Sequence, residues 1–161
     1  MDRPTNHQAS RRDRALKSPS DDPYHRSGQL SDPTVCPDCS AVFRRGRWTW
    51  SSGPVDAPRV RCSACQRIAD DYAAGFLNVM GSFALENERE VGSLLRNVEE
   101  EQKAEHPVKR IMDVVRSDEG IQVRTTDAHL APSLGKALRS AYGGDLTVAY
   151  EEDVVRVTWT R

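Results

Sequence analysis

The chain has no run of about 18 consecutive apolar residues and no charged-then-apolar leader. These absences argue against a membrane span and against secretion, and the spacing of the cysteines favours a reducing compartment. We therefore predict a cytoplasmic protein. Hydrophobic residues make up only 37% of the 161 positions, and charged residues make up 29%. The apolar core should therefore be modest, and a small unit in this chain would need an additional stabilising element such as a metal ion.

The sequence also lacks the motifs that bind nucleotides or catalytic metals. It contains no G-x-G-x-x-G after a predicted strand and no H-E-x-x-H. Gly135-Lys136-Ala137 resembles part of a phosphate loop, but Leu130 stands at the position of the first glycine, and Ala137 replaces the magnesium-binding Ser or Thr. Asp127 and His129 are the only neighbours that suggest a catalytic cluster. We therefore predict that the protein is not an enzyme and binds no nucleotide cofactor.

No cysteine lies outside two matched pairs, Cys36-Pro-Asp-Cys39 and Cys62-Ser-Ala-Cys65, which are separated by 22 residues. Each CxxC turn brings two thiolates together, and two such turns supply the four tetrahedral sulfur ligands of a structural Zn²⁺ site. Four sulfurs leave no coordination position for water, so the ion should stabilise structure and take no part in chemistry. Zinc binding by such peptides amounts to about 10 to 16 kcal/mol at neutral pH, so the ribbon should unfold without metal.

Three other interpretations of the cysteines remain open at the level of sequence. The same residues form disulfides if the chain reaches an oxidising compartment. A thioredoxin-like dithiol is a second possibility, although its CxxC normally begins a helix in a βαβ setting. A zinc site that releases its ion on oxidation is the third.

The composition divides the chain into four segments. Residues 1–32 are rich in Ser, Asp, Pro and Arg and are predicted to form a disordered tail. The basic residues of this tail cluster at 11–17, which is typical either of a solvated tail or of an arm that orders on a polyanion. Residues 33–81 should form the zinc ribbon, residues 82–106 a connecting amphipathic helix, and residues 107–161 an α+β module.

Local patterns predict the elements within these segments. In the ribbon, strands at 41–43 and 47–50 should be joined by a turn at 44–46, and a connecting strand at 76–80 should end at Gly81. Apolar residues at helical spacing predict a helix from 83 to 105, with an acidic polar face. Two hairpins should flank a helix at 129–142 that is capped by Asp127 or Thr126. The predicted fold is therefore α+β, with a four-cysteine zinc ribbon, an amphipathic helix and a four-stranded sheet covered by one helix.

The ribbon segment has a lopsided local charge, because residues 40–67 contain six arginines and a single acid, Asp56. Arginine binds phosphate in bidentate fashion, and tryptophan faces stack on unpaired bases, so this combination is typical of RNA-binding surfaces. The alternatives are that some arginines neutralise the thiolate cluster and that Trp48 and Trp50 fill the small core. The candidate nucleic-acid-binding residues are Arg44, Arg45, Arg47, Trp48, Arg59, Arg61 and Arg67.

Several strings in the sequence are familiar: CPDC, GRWTW, CSACQRIADDYAAGF, LLRNVEEEQKAEHPVKRIM and TTDAHLAPSLGKAL. Over residues 33–161 the chain resembles a family of short bacterial zinc-ribbon proteins whose function is not settled. More distantly, it is similar to the N-terminal part of the Nmd-three type of large-ribosomal-subunit export adaptor. That resemblance implies that the four cysteines bind zinc and that the protein docks on the large subunit, although this chain has no room for the later domains of that family.

Two functions follow as hypotheses. The first is a non-enzymatic zinc-ribbon protein that binds RNA, most plausibly ribosomal RNA, through the arginine-rich face. The second is an adaptor that binds a protein partner through the ribbon and the amphipathic helix. The arrangement of the arginines should separate them: convergence on one exposed face favours RNA, whereas pairing with the glutamates of residues 86–105 favours the adaptor.

Overall fold

The computed structural model describes residues 23–25 and 27–161. The basic cluster at 11–17 and most of the predicted disordered tail lie outside these residues. Tyr24 stacks on Tyr72 with a centroid distance of 5.9 Å, and the carboxylate of Asp32 accepts a hydrogen bond from the main-chain N–H of Arg45. The end of the predicted tail therefore contacts the ribbon.

The described residues form eight β-strands, four α-helices and a short 3-10 helix at Ser27–Gln29. The strands are β1 (Thr34–Val35), β2 (Val42–Arg44), β3 (Arg47–Thr49), β4 (Gly75–Met80), β5 (Ile111–Ser117), β6 (Gly120–Thr125), β7 (Asp145–Tyr150) and β8 (Val155–Thr160). The helices are α1 (Ser63–Asp70), α2 (Ser82–Glu86), α3 (Glu88–Glu105) and α4 (Leu130–Tyr142). The mixture confirms the predicted α+β class.

The ribbon contains a small antiparallel sheet with the order β1-β2-β3. Its β2–β3 hairpin turns through Arg45 and Gly46, which both have positive φ, at 51° and 81°. A two-residue turn of this kind matches the natural twist of paired strands, and glycine adopts it without steric cost. The predicted hairpin is thus confirmed.

The second sheet has five strands in the order β5-β6-β4-β8-β7, so the prediction of a four-stranded sheet was wrong. Its central strand is β4, which pairs antiparallel with β6 and parallel with β8. The sequence pattern predicts this strand as a connecting strand at the end of the ribbon segment. It pairs at the centre because Leu77 and Val79 belong to the same buried layer as Val123 and Val157.

Helices cover one face of the five-stranded sheet. Helix α4 packs against β4, β8 and α3, while α2 lies against β6 and β4. The predicted helix at 83–105 is divided at Asn87, whose side-chain amide donates to the carbonyl of Phe83. Val91 and Leu95 of α3 lie in the same core, so three helices, and not the predicted one, cover this sheet.

Helix α4 begins near the predicted start. The Asp127 carboxylate accepts hydrogen bonds from the main-chain N–H groups of His129 and Leu130, at 2.8 and 3.1 Å. Such bonds satisfy N–H groups that have no partner inside the helix. Asp127 therefore caps the turn that leads into the helix, whereas the N-cap position itself is His129, whose side chain makes no capping hydrogen bond.

Candidate metal centre

The four cysteines converge at one point between the small sheet and α1. The Sγ atoms of Cys36, Cys39, Cys62 and Cys65 all lie within 4.8 Å of one another, and those of Cys39 and Cys62 are 3.8 Å apart. Thiolates bound to a tetrahedral ion at about 2.3 Å stand about 3.8 Å from each other. All four cysteines are free, so they are not paired as disulfides. The donor set and its spacing can therefore hold one metal ion.

Local hydrogen bonds position each pair. In the first CxxC turn, the N–H of Ser40 donates to the carbonyl of Cys36, and the N–H of Cys36 donates to the carbonyl of Ala41. The second turn begins α1, where the N–H of Cys65 lies 3.4 Å from the Sγ of Cys62, the N-cap residue. The N–H of Cys62 points at the Sγ of Cys36, at 3.3 Å. Main-chain donors of this kind stabilise thiolate charge.

The centre is enclosed on most sides. Cys36 and Cys62 are fully buried and Cys65 is 7% exposed, whereas Cys39 is only partly buried. Trp48 packs against the cluster and meets Phe43 edge-on at 5.6 Å. This contact agrees with the alternative in which Trp48 fills the ribbon core.

A residue that the sequence did not single out lies directly on the sulfurs. The Arg110 guanidinium places Nη1 3.3 Å from the Sγ of Cys65 and Nη2 3.6 Å from the Sγ of Cys62. Arg110 lies just before β5, 45 residues after Cys65 in the chain. A single arginine outside any motif gives no local sign of such a contact, so the sequence could not have revealed it.

The shared hydrogen bonds separate the pKa values of the thiols. The hydrogen bond with Cys62 lowers the pKa of Cys39 to about 4, and the same bond, together with burial, raises the pKa of Cys62. Burial raises the pKa of Cys65. Burial lowers the pKa of Arg110, but hydrogen bonds to Cys65 and Cys39 outweigh this effect and raise it. Arg110 is therefore a permanent cation beside the sulfurs, and a metal ion binding there must displace thiol protons.

Three of the predicted RNA-binding arginines share one face of the small sheet. Arg44 and Arg47 are cross-strand partners at the end of the β2–β3 hairpin, so their side chains lie on the same side. Val35 pairs with Val42 and also bridges to Arg59, which places Arg59 on that side as well. Arg47 and Arg59 are exposed and Arg44 is partly buried. We call Arg44, Arg47 and Arg59 the arginine face.

The other predicted residues are placed elsewhere. Arg45 lies in the hairpin turn, and Arg61 forms an ion pair with Asp38 of the first CxxC turn. Arg67 is only 4% exposed, with its guanidinium 4.2 Å from the ring centroid of Tyr24 and hydrogen-bonded to the carbonyl of Tyr72. Arg67 is therefore not part of an exposed binding face. The sequence alone could not distinguish this buried arginine from the other arginines of the ribbon.

The arginine face does not pair with the acidic helix in the described part of the chain. Glu88 of α3 pairs with Arg116, and Glu99 accepts a hydrogen bond from the main-chain N–H of Ile111. The side chain of Arg44 donates instead to the carbonyl of Ser52. The arrangement proposed to favour an adaptor, with ribbon arginines bound to the glutamates of α3, is absent from the described residues.

No protein-family model matches this chain, and no curated protein or solved structure is similar enough to count as a match. Within residues 23–25 and 27–161, none of the helices has the length and apolar character needed to cross a membrane.

Proposed function

We propose that the chain is a non-enzymatic, cytoplasmic zinc-ribbon protein in which the four cysteines hold one structural Zn²⁺ and the arginine face binds RNA. The observation that carries the metal assignment is the convergence of the four Sγ atoms within 4.8 Å. Tetrahedral all-sulfur sites are typical of zinc and of iron–sulfur centres, and a closed set of four cysteines from two CxxC turns is the common structural zinc arrangement.

The RNA assignment is supported by the geometry of the arginine face. Arg44, Arg47 and Arg59 lie on one side of a small sheet, and two of them are exposed. Guanidinium groups held at neighbouring positions bind successive phosphates and release counterions, which gives salt-dependent affinity. Trp48 is engaged against the cysteines, so the proposed contact is with the phosphate backbone and not through base stacking on this ring.

Ribosomal RNA is the first ligand to test, because the cysteine pairs resemble those of the large-subunit export adaptors. This choice is an analogy at the level of fold, and the site must establish the function. The experiment is co-sedimentation of the zinc-loaded protein with ribosomal subunits and binding to structured RNA at several salt concentrations, with a nuclease-treated sample as control.

The matched variants are Arg47→Glu with Arg59→Glu on the arginine face, and Arg89→Glu with Arg96→Glu on α3, which change the net charge equally. The first pair should weaken binding more than tenfold and reduce the salt slope by about 2, since each lost phosphate contact removes about one unit. The α3 pair should change affinity less than about twofold. Equal effects of the two pairs, or salt-independent binding, would contradict the proposal.

The adaptor hypothesis is the alternative outcome of the same experiment. It predicts binding to a defined protein partner, and this binding should persist after nuclease treatment and should not be weakened by the Arg47 and Arg59 substitutions. Such a result would replace RNA binding as the function while leaving the zinc site intact.

A further inference from the structure

Every sulfur of the metal centre comes from the ribbon, but the side chain that contacts two of them, Arg110, comes from the segment that leads into β5. We propose that Arg110 is a positioning residue of the metal centre and that, through it, the bound ion fastens the ribbon to the five-stranded sheet. This inference rests on the proposed metal site and adds a mechanical link between metal occupancy and the rest of the molecule.

The guanidinium hydrogen-bonds both cysteines of the second pair and also interacts with Cys39 of the first pair. Nη1 reaches Cys65 at 3.3 Å and Nη2 reaches Cys62 at 3.6 Å, so one planar guanidinium spans both thiols of the second CxxC turn. Arginine presents its donors in a rigid fork, whereas lysine offers a single flexible ammonium. The fork therefore fixes the orientation of α1 relative to Arg110 as well as adding positive charge.

The main chain of Arg110 is held at the edge of the large sheet, while its guanidinium reaches the ribbon. Its Nε donates to the carbonyl of Pro107 at 2.7 Å. Its main-chain N–H donates to the Oγ1 of Thr126 at 2.9 Å, and its carbonyl accepts from the Thr126 N–H. Thr126 is 5% exposed and directly follows β6. The position of the guanidinium beside the sulfurs is therefore set by the sheet.

The same segment makes two further contacts with the ribbon. Val108 packs against the cysteine cluster. The indole Nε1 of Trp50, just after β3, donates to the carbonyl of Lys103 near the end of α3 at 2.7 Å. Lys103, Val108 and Arg110 therefore each contact the ribbon, and Arg110 is the one of the three whose side chain hydrogen-bonds the cysteine sulfurs.

Charge makes the link depend on the ion. A divalent cation with four thiolates has a net charge of about −2, and a partly enclosed anion of this kind is costly unless a cation lies beside it. In the described part of the chain, Arg110 is the basic side chain that hydrogen-bonds these sulfurs. The two interactions are thermodynamically linked. If the metal ion strengthens the contact between Arg110 and the sulfurs by some factor, that contact increases the affinity for the metal ion by the same factor.

The test compares Arg110→Gln and Arg110→Lys with the control Arg116→Gln, whose side chain pairs with Glu88 of α3. Zinc affinity is measured by competition with a chromophoric chelator. Loss of a side chain that orients metal ligands typically weakens metal binding about 10- to 100-fold, and this is the expected effect of Arg110→Gln. Arg110→Lys should fall between, because it keeps the charge without the fork, and Arg116→Gln should stay within about twofold of the wild type.

Amide hydrogen exchange supplies the second readout, and its wild-type arm needs no variant. In the wild type, zinc should slow exchange at residues 108–111 and at Thr126, while the amides of Leu77 and Val79 at the sheet centre stay equally protected. Arg110→Gln should abolish the zinc-dependent change in exchange at residues 108–111.

The outcomes separate this inference from the proposed function. Tight zinc binding by the wild type and by Arg110→Gln alike would overturn the role of Arg110 and leave the zinc site standing. If Arg110→Gln does not fold, the wild-type exchange decides, because unchanged exchange at residues 108–111 on zinc addition overturns the link. Failure of the wild type to bind zinc would overturn the metal site and this inference together.

Discussion

The ribbon and the five-stranded sheet have cores built from different types of side chain. The buried cluster of the ribbon contains five residues, three of which are cysteines: Cys36, Ala41, Cys62, Ala64 and Cys65. The cluster behind the large sheet contains fourteen, nearly all of them aliphatic, and includes the fully buried Trp159. The ribbon also buries Val42 and Phe43 of β2, but its apolar core is small. We therefore expect the ribbon to depend on an ion, whereas the sheet depends on the hydrophobic effect.

The two regions are nevertheless joined at several points. Helix α1 runs within a few residues into β4, the central strand of the large sheet. Arg110 and Trp50 then tie the ribbon back to residues 103–110. We therefore expect the ribbon to be stabilised mainly by the metal ion and the sheet mainly by its apolar core, and we expect each region to affect the other through these contacts.

Removal of the metal should have the largest effect and should separate the two regions. Chelation withdraws a binding free energy of about 10 to 16 kcal/mol from a region whose other apolar core is small, so amide protection in residues 34–61 should be lost. The five-stranded sheet should remain folded, with protected amides in β4 and β8. Hydrogen exchange with and without chelator measures both. Collapse of the whole molecule, or an unchanged ribbon, would show that the regions do not differ in this way.

Truncation of the large core should have the next largest effect and should act on the other region. Leu77 is fully buried on the central strand, and Leu77→Ala should lower the free energy of unfolding of the sheet by about 2 to 5 kcal/mol. Denaturant unfolding of the zinc-loaded protein gives this value. Val114→Ala is the control, since Val114 is 53% exposed on the edge strand β5 and should cost less than about 0.5 kcal/mol. Similar losses in the two variants would argue against a core centred on β4.

The hairpin turn allows a smaller test within the ribbon. Gly46 has a φ of 81° and no atom near the position of an added Cβ, so Gly46→Ala changes only backbone strain. The cost of this strain should be about 1 kcal/mol, seen as roughly fivefold weaker zinc binding. Gly28→Ala is the matched control, because its Cβ position is also open and its φ is not in the positive range. Equal zinc affinities for Gly46→Ala and Gly28→Ala would mean that the turn is not strained.

The smallest expected effect is a dependence of the large sheet on pH. A hydrogen bond from Arg124 holds the pKa of Asp113 below its ordinary value. Because the folded pKa is depressed, this pair stabilises the protein above the unfolded pKa of about 4 and loses its effect as pH falls through the folded value.

Both side chains are partly exposed, so solvent limits the contribution to about 1 kcal/mol or less. Urea unfolding of the wild type and Asp113→Asn from about pH 3 to 7 measures it. At about pH 7 the wild type should have a larger free energy of unfolding than Asp113→Asn, and this difference should shrink below about pH 4. A difference that grows as the pH falls has the wrong sign for this account.

Local signals predicted the parts of the structure that depend on neighbouring residues. The convergence of the two CxxC pairs and the turn at Arg45 and Gly46 each need only a few adjacent residues, and the structure confirms both. The Asp127 carboxylate does accept hydrogen bonds at the start of α4, although the N-cap residue is His129. The division of the long helix at Asn87 was missed, because the helical spacing of apolar residues continues across it.

Contacts between distant parts of the chain could not be predicted in the same way. Strand β4 pairs in parallel with β8, about 80 residues away, and nothing within residues 75–80 specifies that partner. The Arg110 contact with the sulfurs and the burial of Arg67 beneath Tyr24 likewise depend on the folded arrangement. A single sequence gives the residue type at these positions but not which distant atoms it meets.

Metal analysis combined with zinc-edge X-ray absorption of the purified protein tests the central claim most directly. The account predicts one zinc ion per chain, coordinated by four sulfurs at about 2.3 Å, and no bound zinc when Cys36 and Cys65 are both replaced by serine. A shell that contains oxygen or nitrogen ligands, a stoichiometry well below one in fully reduced protein, or disulfide bonds among the four cysteines would contradict it.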